Sequence, residues 1–167
     1  MEIWDLYDKL GNKTGETIAR GDRVPEGRYH LVVHVWIKNK DGKYLISLRS
    51  ADRKNFPNLW ESVGGSVVSG EDSLTGALRE CAEEVGVCLD PKRGRKILSM
   101  TRDIIDGKRY NNIVDVWLFD HDGEADLNKA TTAEVDDVKW ASAEEIKALW
   151  DNGDFVPSLG YFFTSPK

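Results

Sequence analysis

Residues 64–87 read Gly64-Gly65-Ser66-Val67-Val68-Ser69-Gly70-Glu71-Asp72-Ser73-Leu74-Thr75-Gly76-Ala77-Leu78-Arg79-Glu80-Cys81-Ala82-Glu83-Glu84-Val85-Gly86-Val87. From about Asp72 to Val85 this is the one strong helix of the chain, stopped by Gly86 at the usual place for a C-terminal glycine. At about 100° per residue, Leu74, Leu78, Cys81 and Val85 fall on one stripe, the expected buried face. Glu80, Glu83 and Glu84 are spaced i, i+3, i+4 and share a different face. Like charges this close repel by a few tenths of a kcal/mol per pair. A helix made only for solvent would interleave lysines here. The repulsion disappears if a divalent cation sits among the carboxylates, and hard oxygen ligands suit Mg²⁺ or Mn²⁺. On spacing alone, a solvated acidic face is the ordinary reading.

Around this helix the pattern is mainly strands. Ile3–Tyr7 and Thr14–Ile18, joined by Gly11-Asn12, predict an N-terminal hairpin, and residues 19–28 look irregular. His30–Ile37 is the best strand, with bulky residues at both alternating sets, so both of its faces should be covered. Asp41-Gly42 turns it into Lys43–Leu48. A polar loop over residues 50–59 follows. Strands are predicted at Ile97–Ile105, Ile113–Phe119 and Val135–Trp140. Ser142-Ala143-Glu144-Glu145 is a capping box that opens a second helix to about Trp150. The aromatic tail, Phe155 to Phe163, should pack on the body. Mixed strands and helices with hairpins predict an α/β/α sandwich around a mixed β-sheet.

The 167 residues suit a single domain over 1–167, and 40% apolar with 31% charged residues is ordinary globular composition. Asp and Glu outnumber Lys and Arg by 29 to 23, a net charge of −6, which disfavours a nucleic-acid partner bound through the overall field. No apolar run is long enough for a membrane span or a signal-peptide core. Cys81 and Cys88 make no disulfide framework, so reduced thiols and a cytoplasmic location are expected.

With its neighbouring letters, the glutamate helix resembles the Nudix hydrolases, whose signature is G-x5-E-x7-R-E-U-x-E-E-x-G-U with U aliphatic. Gly65, Glu71, Arg79, Glu80, Glu83, Glu84, Gly86 and Val87 match; Cys81 departs at the first aliphatic position. The resemblance implies Mg²⁺-dependent hydrolysis of a diphosphate bond in a nucleoside diphosphate linked to another moiety. It implies Glu80, Glu83, Glu84 and the Gly64 carbonyl as metal ligands, with Mn²⁺ as an alternative ion. Glu80, Glu83 and Arg79 form the candidate catalytic group, with Glu80 favoured as the base that activates water. Glu71 would pair with Arg79 and fix the loop against the helix, and Gly65 and Gly86 would support the site. The partner is then a small nucleoside diphosphate-type molecule, and the protein a monomer or homodimer.

Further candidates lie outside the signature. Glu134 precedes the late strand, where some relatives place an extra base or ligand. Arg49, Arg53 and Lys54 read as a solvated loop or a phosphate-steering cluster. His30 sits where isopentenyl-diphosphate isomerase, which shares the Nudix fold, has a metal-binding histidine. That enzyme's essential cysteine falls at Gly64 and its next histidine at Ser66, so the isomerase chemistry is disfavoured. A non-hydrolytic nucleotide-binding module is the other alternative. The six tryptophans are expected mostly in the core, with one or two of them, together with Tyr7 or Tyr110, as candidates for stacking a base or ring at the site mouth.

Overall fold

A computed structural model describes residues 1–164. The strands are β1 (Ile3–Tyr7), β2 (Lys13–Ala19), β3 (Tyr29–Lys38), β4 (Tyr44–Arg49), β5 (Trp60–Glu61), β6 (Val63–Ser66), β7 (Gly94–Ile105), β8 (Lys108–Asp120) and β9 (Val135–Ala141). The α-helices are α1 (Ser73–Val85) and α2 (Ala143–Asp151), and Pro157–Phe163 forms a 3-10 turn.

β3 is the hub of one mixed sheet. It runs parallel to β8 from His30 opposite Asn112 to Lys38 opposite Asp120. Its other edge meets β1 at Tyr29 and His30, then β6 across Val32–Val35, both antiparallel. β4 touches it only at Lys38 and then pairs with β5 and β9. β7 and β8 form a long hairpin turned at Asp106 and Gly107, both with positive φ.

The alternation of β3 separates two cores. Leu31, Val33, Val35 and Ile37 pack with Ala77, Cys81 and Val85 of α1. On the other face, Trp36 packs with Val114, Val116 and Leu118 of β8, Ile146 of α2, and Phe155, Leu159 and Phe162. The Trp36 and Phe162 rings stack at 4.3 Å, so the aromatic tail does close this face. The result is the expected α/β/α sandwich. Ser142 caps α2 with both bonds of its capping box made.

Three details differ from the sequence pattern. Residues 60–66 carry two short strands where a loop gave no signal, because Gly64-Gly65 hides β6. Of the six tryptophans only Trp36 is buried; the other five are half-buried. The buried face of α1 is also rotated. Ala77, Cys81 and Val85 are buried, but so are Glu80 and Glu84, while Leu74 and Leu78 are only half-buried. The cause is close packing of small residues. A Cβ on Gly76 would lie 2.8 Å from Val67 Cγ2, so the helix is drawn against the loop after β6 and its glutamates turn inward.

Candidate active site

Asp72 caps α1 through Thr75 N at 2.8 Å, and Gly86 ends it in the left-handed region at φ 66°. No other residue fits at 86: a Cβ there would lie 2.0 Å from the Asp126 carbonyl oxygen. The helix start and stop therefore fix where Glu80, Glu83 and Glu84 stand relative to β6.

Gly65 supplies the space they need. A Cβ on Gly65 would sit 2.4 Å from Glu80 Oε1, so the carboxylate occupies the volume a side chain would fill. Gly65→Ala must push Glu80 aside. The expected result is a fall of roughly tenfold in kcat/KM, since small misplacements of a reacting group are costly. Steady-state kinetics checks this, and an unchanged rate would mean that Glu80 is not positioned by this cradle.

Arg79 organises the cluster. Its Nε and Nη2 grip Glu71 at 2.8 and 3.1 Å, and Nη2 also reaches the Ser66 carbonyl at 3.0 Å. Its Nη1 lies 3.1 Å from both Glu80 Oε1 and Glu83 Oε2. The expected Glu71–Arg79 pair is therefore formed and is bidentate. The same guanidinium also bridges two members of the glutamate face. Among the described residues, no three His, Cys, Asp or Glu side chains gather in a metal-holding arrangement. The bridge is the physical reason: Glu80 and Glu83 turn toward the guanidinium, which compensates their charge.

The electrostatics call for more positive charge than Arg79 provides. Burial pushes the Glu80 carboxyl up to about 7, against the pull of Arg79. Burial first, then the charges of Glu80 and Glu61, raise Glu84 well above the ordinary carboxylate range. Glu84 Oε2 is buried with no hydrogen-bond partner. Two desolvated carboxylates, one with an open oxygen, fit a hard divalent cation. The donor set, the orphan oxygen and the Gly65 cradle all agree with that group.

Glu80, Glu83 and Glu84 line a cavity of ≈ 100 Å³ with Gly65, Ser66, Arg53, Thr132, Glu134, Glu2 and Arg20. Glu134 is thus brought to the glutamates. It is held there by ion pairs to Arg53 and to Arg20, the latter at 3.6 Å. Arg49 is not at this cavity but lines the adjoining cleft, where it donates to Glu61 at 2.8 Å and to the Asn55 carbonyl. His30 does not reach the carboxylates. It stacks on Trp4 at 4.4 Å, and burial lowers it to about 4, so it stays uncharged. A larger cleft of ≈ 550 Å³ between β9 and α2 holds no comparable cluster of buried carboxylates.

The family model for the NUDIX domain matches residues 28–159. The chain belongs to the Nudix hydrolase family. An uncharacterised Nudix hydrolase of Listeria monocytogenes is 36% identical over 164 residues, spanning 98% of this chain and 91% of its own. A crystal structure of the Deinococcus radiodurans protein DR0079 superposes with a TM-score of 0.72 at 26% identity, covering 93% of this chain and 92% of that one. A bifunctional NMN adenylyltransferase/ADP ribose pyrophosphatase of Francisella tularensis, complexed with AMP and a manganese ion, shares the fold. Its TM-score is 0.64 at 23% identity, over 87% of this chain and 42% of that one. Isopentenyl-diphosphate isomerase of Escherichia coli is 30% identical over 87 residues, 52% of this chain and 48% of its own. Kinship to the isomerase is real but covers half the chain. In this Nudix domain a Cβ at Gly64 would lie 2.2 Å from the Val33 carbonyl oxygen, so β6 leaves no room for that enzyme's cysteine.

Sequence reasoning missed Glu61, Arg20, Glu2 and Thr132. They come to the site from β5, the turn after β2, the N-terminus and the loop before β9. No local motif marks them, because only sheet pairing brings these segments together. Arg53, read as part of a loop cluster, instead links the carboxylate cavity to the cleft beside it.

Proposed function

We propose that this chain hydrolyses the diphosphate bond of a nucleoside diphosphate linked to another moiety, with Mg²⁺, or Mn²⁺ in its place. Glu80, Glu83, Glu84 and the Gly64 carbonyl would hold the ion. The observation that carries the reading is the buried, unpartnered Glu84 Oε2 beside a second buried carboxylate on the Nudix helix. Bound there, the ion would neutralise the phosphoryl oxygens and lend an acidic protein the positive charge that a polyanion requires.

The protein's own groups do the rest. Gly65, without a side chain, leaves the space in which the Glu80 carboxylate sits. Glu80 takes the proton of the attacking water. Arg79 holds Glu80 and Glu83 in place while tied to Glu71 and to Ser66. Arg53 and Arg20 keep Glu134 at the cavity rim. A purely binding module has no use for carboxylates kept at this electrostatic cost, so hydrolysis is favoured over it. The free thiols of Cys81 and Cys88 accord with a reducing compartment, and among the described residues no helix is long and apolar enough to cross a membrane.

The Francisella neighbour, named as an ADP ribose pyrophosphatase, suggests nucleoside diphosphate sugars as the first class to assay. A panel of such compounds with Mg²⁺ should yield a nucleoside monophosphate and a phosphorylated partner from at least one member, at a kcat within the usual enzymatic range of roughly 1 to 1,000 per second. Binding without product across the whole panel would favour the binding module.

A further inference from the structure

The carboxylate cavity opens into a longer groove. The adjoining cleft, of ≈ 140 Å³, shares Arg53 and Gly65 with it and is lined further by His34, Arg49 and Ser158. Ser158 in turn lines a third cleft of ≈ 220 Å³, walled by Phe56, Ile105, Asp106, Lys108, Tyr110 and Pro157. These shared residues join the three in series.

Charge changes sign along this run. The first cavity is acidic. At the far end, Lys108 Nζ lies 4.4 Å over the Phe56 ring and 5.4 Å over the Tyr110 ring. Its hydrogen bond is a long one, 3.5 Å to Asn55 Oδ1. On the Tyr110 ring, at 4.5 Å, lies the Arg102 guanidinium. Arg102 is 7% exposed, and it donates Nε to Asn112 Oδ1 at 2.9 Å. Its Nη1 is buried without an acceptor.

Among the described residues neither cation makes an ion pair, although Asp106 lines the same cleft as Lys108. Burial lowers the proton affinity of both, and Arg49 and Arg102 add repulsion at Lys108. Arg102 lines neither cleft itself; it reaches the third through the Tyr110 ring it lies against. In a chain of net charge −6, two cations without an ion pair near one groove end are not a by-product of a basic surface. An open guanidinium donor in a dry setting costs stability until an acceptor arrives.

We propose that this end of the groove is an anion subsite. Lys108, with Arg102 beneath it and the Phe56 and Tyr110 rings as walls, takes a phosphate or carboxylate that the substrate carries on the group beyond its diphosphate. Lys108 is exposed and is the donor a ligand meets first; Arg102 supplies charge one layer behind. The inference rests on the hydrolase reading, which puts the diphosphate at the glutamates.

Three dinucleotides with the same diphosphate test it. NAD⁺ has no further anion, NADP⁺ adds a 2′-phosphate, and nicotinic acid adenine dinucleotide carries a carboxylate in place of the amide. KM is measured with Mg²⁺, and binding is measured by calorimetry with Ca²⁺ in its place, a hard cation for the same oxygen ligands. At least one anionic probe should be preferred over NAD⁺ by about tenfold, the scale of one charge-assisted contact. Which probe it is tells phosphate from carboxylate. Lys108→Gln should bring that ratio close to one, and Lys108→Arg should keep most of it. A ratio near one in the wild type for both anions, or a preference that survives Lys108→Gln, overturns the subsite. Because Lys108 is exposed, its variants fold, which the melting temperature verifies. Binding that depends on Lys108, with no turnover of these probes or of any compound in the panel, would sink the hydrolase reading and leave the subsite standing.

Discussion

In EDTA, turnover of every diphosphate substrate stops, and Mg²⁺ or Mn²⁺ restores it. The same ion changes how stability depends on pH, and the sign follows from the two buried carboxylates. Glu80 and Glu84 are 8% and 3% exposed. Burial holds Glu80 up at about 7 and Glu84 well above the ordinary range. A carboxyl whose folded pKa is raised favours folding while it is protonated. That contribution is complete below the unfolded value near 4.5 and is lost as pH rises through about 7 for Glu80. The metal-free protein should therefore be less stable at pH 8 than at pH 5. For Glu80 alone the loss is on the order of 3 kcal/mol, roughly 5 to 10 °C in Tm for a domain of this size. A bound divalent cation favours the ionised carboxylates, so its stabilisation must be larger at pH 8 than at pH 5. Thermal melts at both pH values, with EDTA and with Mg²⁺, measure this directly. Full turnover in the chelator, or an ion effect on Tm that is equal at both pH values, would remove the metal from the mechanism.

The helix and the glutamate spacing were legible in the sequence because both are local. Asp72, Gly86 and the apolar period fix α1, and i, i+3, i+4 places three carboxylates on about one turn. The direction in which that turn faces was not local. Leu74 and Leu78 suggested an apolar stripe that would leave Glu80 and Glu84 wet. What turns them inward is Gly65 opposite Glu80 and Val67 against Gly76, contacts made between separate elements. The same reason hid the Arg53 link. Arg53 meets Glu134 only because β4 pairs with β9, which sets the loop after one beside the start of the other. His30 was a reasonable candidate by alignment, yet strand alternation puts it on the sheet face away from α1, against Trp4. A two-residue period decides such a side, and the α1 face of β3 belongs to Leu31 and Val33. The capping box at Ser142 needed no tertiary information and formed as read.

Glu84→Gln and Glu83→Gln should both cut the hydrolytic rate by about a hundredfold or more, the loss expected when a preorganised electrostatic or acid/base group is removed. Their effects on metal-free stability should differ, and the difference is diagnostic. Glu84 is buried with Oε2 unpaired, and Glu80 and Glu61 both oppose its charge. Glutamine keeps the size and the helix propensity and removes a charge that the fold disfavours above neutral pH. Glu84→Gln should therefore raise the metal-free Tm at pH 8. Glu83 is the more open partner, its side chain 38% exposed, and it accepts Arg79 Nη1 at 3.1 Å. Removing its charge loses one partly solvated contact, worth at most about 1 kcal/mol, and relieves repulsion from Glu80. Glu83→Gln should leave Tm near the wild-type value. A solvated acidic helix face gives another pattern: neutral rates for both variants and no gain at position 84. Rate falling while stability rises at the same buried position is what a face kept for a ligand requires. Wild-type turnover by Glu84→Gln on the best substrate of the panel would show that this helix is not where the chemistry happens.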